Sequence, residues 1–186
     1  ILTLYANDSA GNTNSTSVTF TVDTIAPVIQ IILPEVTTYT SASRTLNYTA
    51  SDTNRDTCWY KLNAGTNTTI ASCANTTFDA AEGSNTIVVY VNDTAGNLNS
   101  TSVTFNVDTT APAMSEISPC SSLLYGTQNI LVNITNDGSQ QNLWYNWNGT
   151  DENYNFAKNI VFAAGWNTIT AYANDSAGNM NIDSCS

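Results

Sequence analysis

The side chains best equipped for chemistry in this 186-residue chain are fifteen carboxylates and four cysteines, because it contains no histidine. Without imidazole it lacks the commonest general base, the Ser–His and Cys–His nucleophile pairs, and nitrogen ligands for metals. Hydrolysis of a glycoside would require an acid and a base roughly 5–10 Å apart. The close acidic pairs are Asp52 with Asp56 and Asp151 with Glu152. Both fall in polar, turn-like stretches with no apolar surroundings to raise a carboxyl pKa, so solvated loops are expected and an enzyme is not. The cysteines (Cys58, Cys73, Cys120, Cys185) contain no CxxC pair. That spacing argues against a tetrahedral thiolate site and for disulfides formed in an oxidising compartment.

The elements that must position these groups are polar and acidic. Two Lys and two Arg stand against the fifteen acids, for a formal charge of −11. Such a chain cannot assemble the cationic patch that nucleic acid requires, and anionic membrane surfaces repel it. Hydrophobic residues make up 41% of the chain, enough for a packed core. No apolar run approaches the roughly 18 residues of a membrane-spanning helix, so no direct membrane insertion is expected. The chain opens inside a strand-like run, ILTLYAND, which reads as an excerpt from a longer protein.

A repeat organises everything else. Residues 2–29 (LTLYANDSAGNTNSTSVTFTVDTIAPVI) match residues 87–114 (IVVYVNDTAGNLNSTSVTFNVDTTAPAM) without a gap, at a register of 85. A third copy, NTITAYANDSAGNMN, starts at Asn167 and sets Tyr172 on Tyr90 at a step of 82. Trp59-Tyr60-Lys61-Leu62-Asn63 corresponds to Trp144-Tyr145-Asn146-Trp147-Asn148. The implied division is a C-terminal hairpin of a preceding repeat at 1–24, one domain at 25–109 and another at 110–186.

Each full unit reads as six or seven short strands. For the first of them these fall near 28–33, 44–51, 57–63, 67–72, 76–80, 85–92 and 99–108, named A to G in that order. The alternation in Ser102-Val103-Thr104-Phe105-Asn106-Val107 directs Val103, Phe105 and Val107 to a core, as Ile87, Val89 and Val91 are directed on the preceding strand. The NDTAGN turn joins F to G. Asn92 and Asp93 are placed to bond their own backbone there, and Gly96 to supply a positive φ. The fold class is therefore all-β: tandem sandwich domains of about seven strands with Greek-key connections.

The run YxNDxAGNxNxxSVTFxVDTxAP resembles the immunoglobulin-like tandem repeats of archaeal and bacterial cell-surface proteins, adhesins and surface-layer-type proteins among them. The resemblance extends through the repeat over essentially the whole chain. It implies an extracellular structural or adhesive segment of a prokaryotic, archaeal, surface protein or filament, acting as a stiff spacer or fibre subunit. In such a sandwich the first strand runs beside the last, which implies a Cys120–Cys185 bridge. Cys58 at the start of strand C and Cys73 after strand D imply a Cys58–Cys73 bridge. No cofactor is essential.

The same topology brings the linker from the preceding domain to the B–C and F–G loops. Asp23, Asp52, Asp56 and Asp93 then gather in one unit, and Asp108, Asp137 and Asp175 in the next. With no Lys or Arg nearby, such clusters would repel unless a cation neutralised them, and hard oxygen ligands suit Ca²⁺. Some bacterial repeats of the resembled type carry calcium at such junctions. The alternative reading is that these aspartates cap turns in water.

Alternation on strand C puts Leu143, Tyr145 and Trp147 on one face. Trp59 and Trp144 then lie on the outer face, opposite Tyr90 and Tyr172 on strand F. Trp59, Trp144, Tyr145 and Trp147 are the candidate interaction aromatics. Their alternative use is a sugar-stacking surface, which would make the chain a carbohydrate-binding module for surface glycans. Ten N-x-S/T sequons are present, at Asn7, Asn14, Asn47, Asn67, Asn75, Asn92, Asn99, Asn133, Asn148 and Asn174. Asn14, Asn99 and Asn148 are the best placed, near turns or strand ends. Residues 1–23 form a hairpin that cannot bury Leu2, Leu4, Val18, Phe20 and Val22 by itself. Either upstream residues complete that domain or a neighbouring subunit does so by strand complementation, a form of self-association.

Overall fold

The computed structural model describes residues 1–120 and 125–186. Seventeen strands follow in chain order: β1 (Leu2–Asn7), β2 (Thr13–Val18), β3 (Val28–Leu33), β4 (Thr38–Tyr39), β5 (Ser43–Ser51), β6 (Arg55–Leu62), β7 (Thr68–Ile70), β8 (Thr76–Asp79) and β9 (Gly83–Asp93); then β10 (Leu98–Val107), β11 (Met114–Ser118), β12 (Asn129–Asn136), β13 (Asn142–Asn146), β14 (Asp151–Asn153), β15 (Lys158–Val161), β16 (Ile169–Asn174) and β17 (Met180–Cys185). Among the described residues a single 3₁₀ turn (Ala71–Cys73) interrupts them. The β-rich composition and period-two patterning read from the sequence therefore appear as an all-β protein of the immunoglobulin-like sandwich class. No helix long and apolar enough to cross a membrane is present among the described residues.

The strands form five sheets: β1-β2, β3-β5-β8, β4-β10-β9-β6-β7, β11-β12-β15 and β14-β13-β16-β17. An antibody-like D strand would extend the A-B-E sheet, yet β7 pairs with β6 (Cys58 opposite Ile70), on the sheet that carries F and G. The third repeat does the same, with Trp144 of β13 opposite Asn153 of β14. Connection length supplies the reason: only a few residues separate β6 from β7 and β13 from β14, and such short links fold consecutive strands into hairpins.

The described residues gather into two compact units, one of residues 1–33, 46–76 and 87–103, the other of 34–45, 77–86 and 104–186. Within the first unit Leu46, Tyr48, Cys58, Ile70, Ile87, Val89 and Val91 are buried. The alternation on β9 continues to its polar end, where Asp93 is as buried as the valines before it. Within the second unit, Ile117, Val132, Ile134, Leu143, Tyr145, Ile160, Phe162, Ile169, Ala171, Ala173 and Cys185 pack as one core, drawn from both sheets of the third repeat. Phe105 is buried in edge-to-face contact with Tyr39 and Phe78.

The hairpin β1-β2 is in register from Leu2–Val18 to Asn7–Thr13, with Leu2, Leu4, Val18, Phe20 and Val22 all exposed. The four cationic residues all lie within strands: Arg44 in β5, Arg55 and Lys61 in β6, and Lys158 in β15.

Candidate functional site

The recurring Asp-x-Ala-Gly-Asn turn is held together by its aspartate. In the β9–β10 turn, Asp93 Oδ1 accepts the backbone N–H groups of Ala95 (2.9 Å) and Asn97 (2.8 Å), while Oδ2 accepts Asn97 Nδ2 (2.8 Å). Asp8 and Asp175 organise the β1–β2 and β16–β17 turns in the same way, each bound by the side-chain amide of Asn12 or Asn179. Gly96 takes φ 90 and Gly178 φ 97, conformations that side-chain-bearing residues adopt only with strain. The amide of Asn97 holds the Asp93 carboxyl below its ordinary range, and backbone N–H donors add to the effect against desolvation. Asn179 lowers Asp175 likewise. Asn92 does not cap this turn: its Oδ1 accepts the N–H of Thr57.

The asparagines of the turn also reach out of it. Asn97 Nδ2 donates to the carbonyl of Asp23 (3.1 Å) and Asn99 Nδ2 to that of Pro27 (2.8 Å). One repeat later, Asn179 Nδ2 donates to the carbonyl of Asp108 and Asn181 Nδ2 to that of Pro112, both at 2.8 Å. Two side-chain amides, two residues apart, thus clasp the Asp-Thr-x-Ala-Pro segment that leads into each repeat. Pro27 and Pro112 are fully buried beneath the clasp. At the exit of the second repeat, Glu82 accepts the backbone N–H of Thr109 (3.1 and 3.2 Å) and its hydroxyl (2.9 Å). Sequence reasoning treated these asparagines as turn formers and a glycan acceptor and missed the clasp. The available signal was the recurrence of N-x-N some seventy positions after D-T-x-A-P, 74 and 72 positions between partners in one repeat and 71 and 69 in the next.

Beside the first clasp, carboxylate oxygens of Asp23, Asp52 and Asp93 lie within 4.8 Å of one another. The linker, the β5–β6 loop and the β9–β10 turn each contribute one. This is the one such trio among the described residues. Asp52 Oδ1 accepts the N–H of Asn54, Asp23 Oδ1 that of Ile25, and Asp23 Oδ2 the amide of Asn54. An ionised carboxylate offers about four acceptor positions, so each group keeps room for a further ligand. Asp56 stands outside the trio, facing Asn92 Nδ2 at 3.5 Å. The expectation that no cationic side chain lies nearby needs correction. Arg55 sits opposite Asp93 in the β6-β9 register, although its guanidinium donates to the carbonyl of Ala50.

In the next unit the acids do not converge in this way. Asp137 accepts the N–H of Ala113 with Oδ2 and both the N–H and hydroxyl of Ser139 with Oδ1. Asp175 serves its own turn, and Asp108 accepts the N–H of Thr110.

Both disulfides form as paired in the sequence, Cys58–Cys73 and Cys120–Cys185. Trp59 stacks on Tyr90 and Trp144 on Tyr172, each pair with ring centroids 5.5 Å apart and half-buried on its sheet. Tyr145 must be withdrawn from the interaction aromatics. It is 1% exposed in the core, stacked on Trp147 and edge-on to Tyr154. Its neighbour Trp147 is partly buried against that core and Phe162. The strand-C rings therefore offer no continuous sugar-stacking face.

No protein-family profile matches the chain, and no curated protein sequence matches it. Solved structures do. The Clostridium thermocellum CbhA fibronectin(III)-like modules align at 14% identity over 84% of this chain and 91% of that one, with a TM-score of 0.47. Isoform 8.4 of the Dscam1 N-terminal four Ig domains aligns at 14% identity over 94% of this chain and 50% of that one, with a TM-score of 0.37. The human desmocollin-1 ectodomain aligns at 12% identity over 96% and 39%, with a TM-score of 0.33. These likenesses are distant, and the site is read from this chain's own residues.

Proposed function

We propose that the chain is a structural segment of an extracellular protein, a stiff spacer built from repeated sandwiches, in a prokaryotic surface protein or filament. The carrying observation is the repeated clasp. The same two amides hold the same two carbonyls at the entry of both repeats, and Glu82 holds Thr109 at an exit. An array whose entry and exit segments are hydrogen-bonded to the sandwich has few free torsions at which to bend. Two disulfides support the extracellular assignment. Self-association with further copies or neighbouring repeats, and strand complementation through the exposed β1-β2 hairpin, extend the same reading.

Calcium fits this role as a further fastener at Asp23, Asp52 and Asp93. A dication there would relieve three converging carboxylates and tie linker, loop and turn together.

The test is small-angle scattering of the intact chain beside a variant carrying Asn97→Ala, Asn99→Ala, Asn179→Ala and Asn181→Ala. The variant loses the four neutral clasp bonds, at about 1 kcal/mol each, together with the donors of Asn97 and Asn179 to the Asp93 and Asp175 carboxylates, at about 1.5–3 kcal/mol each, and the distance distribution should broaden. A variant that scatters like the parent would remove the clasp as the basis of stiffness.

A further inference from the structure

Ten sequons are chemically equivalent on paper, and the fold makes them unequal. N-glycosylation requires the side-chain Nδ2 to be accessible, and the amide is a poor nucleophile while its lone pair is delocalised into the carbonyl. A hydrogen bond donated to Oδ1 by the third residue of the sequon fixes the side chain in a tight turn with Nδ2 directed away from the backbone, and breaking the delocalisation is left to the transferase.

Most of the candidates fail these requirements. Asn99 has Nδ2 engaged on the Pro27 carbonyl in the clasp. Asn92 bonds Thr57 and Asp56 along two strands, Asn133 accepts the Tyr154 hydroxyl, and Asn174 accepts the Asn142 amide. Asn75 accepts the N–H of Tyr48, and Asn47 is half-buried in β5. Asn7, Asn14 and Asn67 are exposed too, and at Asn14 the donor to Oδ1 is the adjacent Ser15, not the third residue of the sequon. Asn148 is different. It is exposed at the tip of the β13–β14 hairpin, and its Oδ1 accepts the N–H of Thr150, the hydroxyl residue of its own sequon, at 3.0 Å. Gly149, at φ 90, makes that tight turn, and the Gly149 N–H is fixed by Asn146 Oδ1 at 2.8 Å. The equivalent turn of the second repeat, Asn63-Ala64-Gly65, carries no sequon.

We infer that Asn148, exposed and held in this turn, is a preferred glycan acceptor of the folded chain and that Asn99, despite its Asn-Ser-Thr sequence, is not one. The ligand class is a sugar carried on a lipid pyrophosphate. Nδ2 forms a bond to the sugar C1 and loses a proton to a base of the transferase. The C1–O bond to phosphate breaks, and the pyrophosphate leaves with the electron pair. The inference does not depend on the spacer role.

The experiment exposes the full chain to a single-subunit oligosaccharyltransferase and a defined lipid-linked oligosaccharide, once folded and once reduced and unfolded in urea before dilution, with occupancy read by peptide mass spectrometry. In the folded chain Asn148 should exceed Asn99, Asn92, Asn133 and Asn174 by about tenfold or more, the equivalent of roughly one hydrogen bond. In the unfolded chain that preference should collapse. Gly149→Ala should lower Asn148 occupancy in the folded chain alone, whereas Thr150→Ala should abolish it in both. Uniform occupancy regardless of folding, Asn99 modified as readily as Asn148 in the folded chain, or a folded chain modified nowhere would each overturn the inference.

Discussion

At the scale of single residues the aspartates divide by what they hold. Asp93 and Asp175 accept their donors only as carboxylates, and the amides of Asn97 and Asn179 keep their pKa values below the ordinary one. A depressed folded-state pKa means that the stabilisation is complete above the unfolded value of about 3.9 and is lost as pH falls through the lower folded value. Thermal melts between pH 7 and pH 2 should show this acid limb, and Asp93→Asn with Asp175→Asn should flatten it. Asp23, Asp52 and Asp93 make a separate prediction: the melting temperature should rise with millimolar Ca²⁺ relative to EDTA, and Asp23→Asn with Asp52→Asn should abolish the rise. Identical wild-type melts in the two buffers would sink the cation proposal. The convergence of Asp23, Asp52 and Asp93 was legible in the sequence because topology alone carries linker and loops to one end. The failure of Asp108, Asp137 and Asp175 to form the same trio was not, since it turns on which nearby N–H groups each carboxylate finds. The clasp stayed hidden for a similar reason: an asparagine amide that reaches a carbonyl some seventy positions away leaves no local periodicity.

At the scale of elements, alternation did most of the predicting. Val103, Phe105 and Val107, and Ile87, Val89 and Val91, turned inward at a period of two, as strands with one buried face must. The outward placement of Trp59 and Trp144 followed from the same count and puts each ring on its tyrosine partner. Sheet membership of β7 and β14 was less legible, because a three-residue strand has too few positions to show which neighbour it joins. The two bridges act at this scale too. Loop-closure entropy assigns about 3 kcal/mol to a loop like that of Cys58–Cys73, with its sequence separation of 15, and about 4 kcal/mol to Cys120–Cys185, with 65. Urea titrations of Cys58→Ala/Cys73→Ala and Cys120→Ala/Cys185→Ala variants should therefore rank the second pair as the more destabilised.

At the scale of the whole molecule, the scarcity of cations has a consequence for survival outside a cell. A protease specific for Lys and Arg has four bonds to attack in this chain, after Arg44, Arg55, Lys61 and Lys158, and every one lies in a strand whose backbone is hydrogen-bonded to a neighbour. Arg44 also covers the ring of Tyr39, and Lys158 is ion-paired with Glu152. Exposed turns, where nicking normally begins, hold none of these bonds. Trypsin digestion should therefore proceed only through transient unfolding, at a rate that tracks the opening equilibrium and accelerates once the disulfides are reduced. The same scarcity of Lys and Arg leaves this class of enzyme with nothing to cut until the sheets come apart.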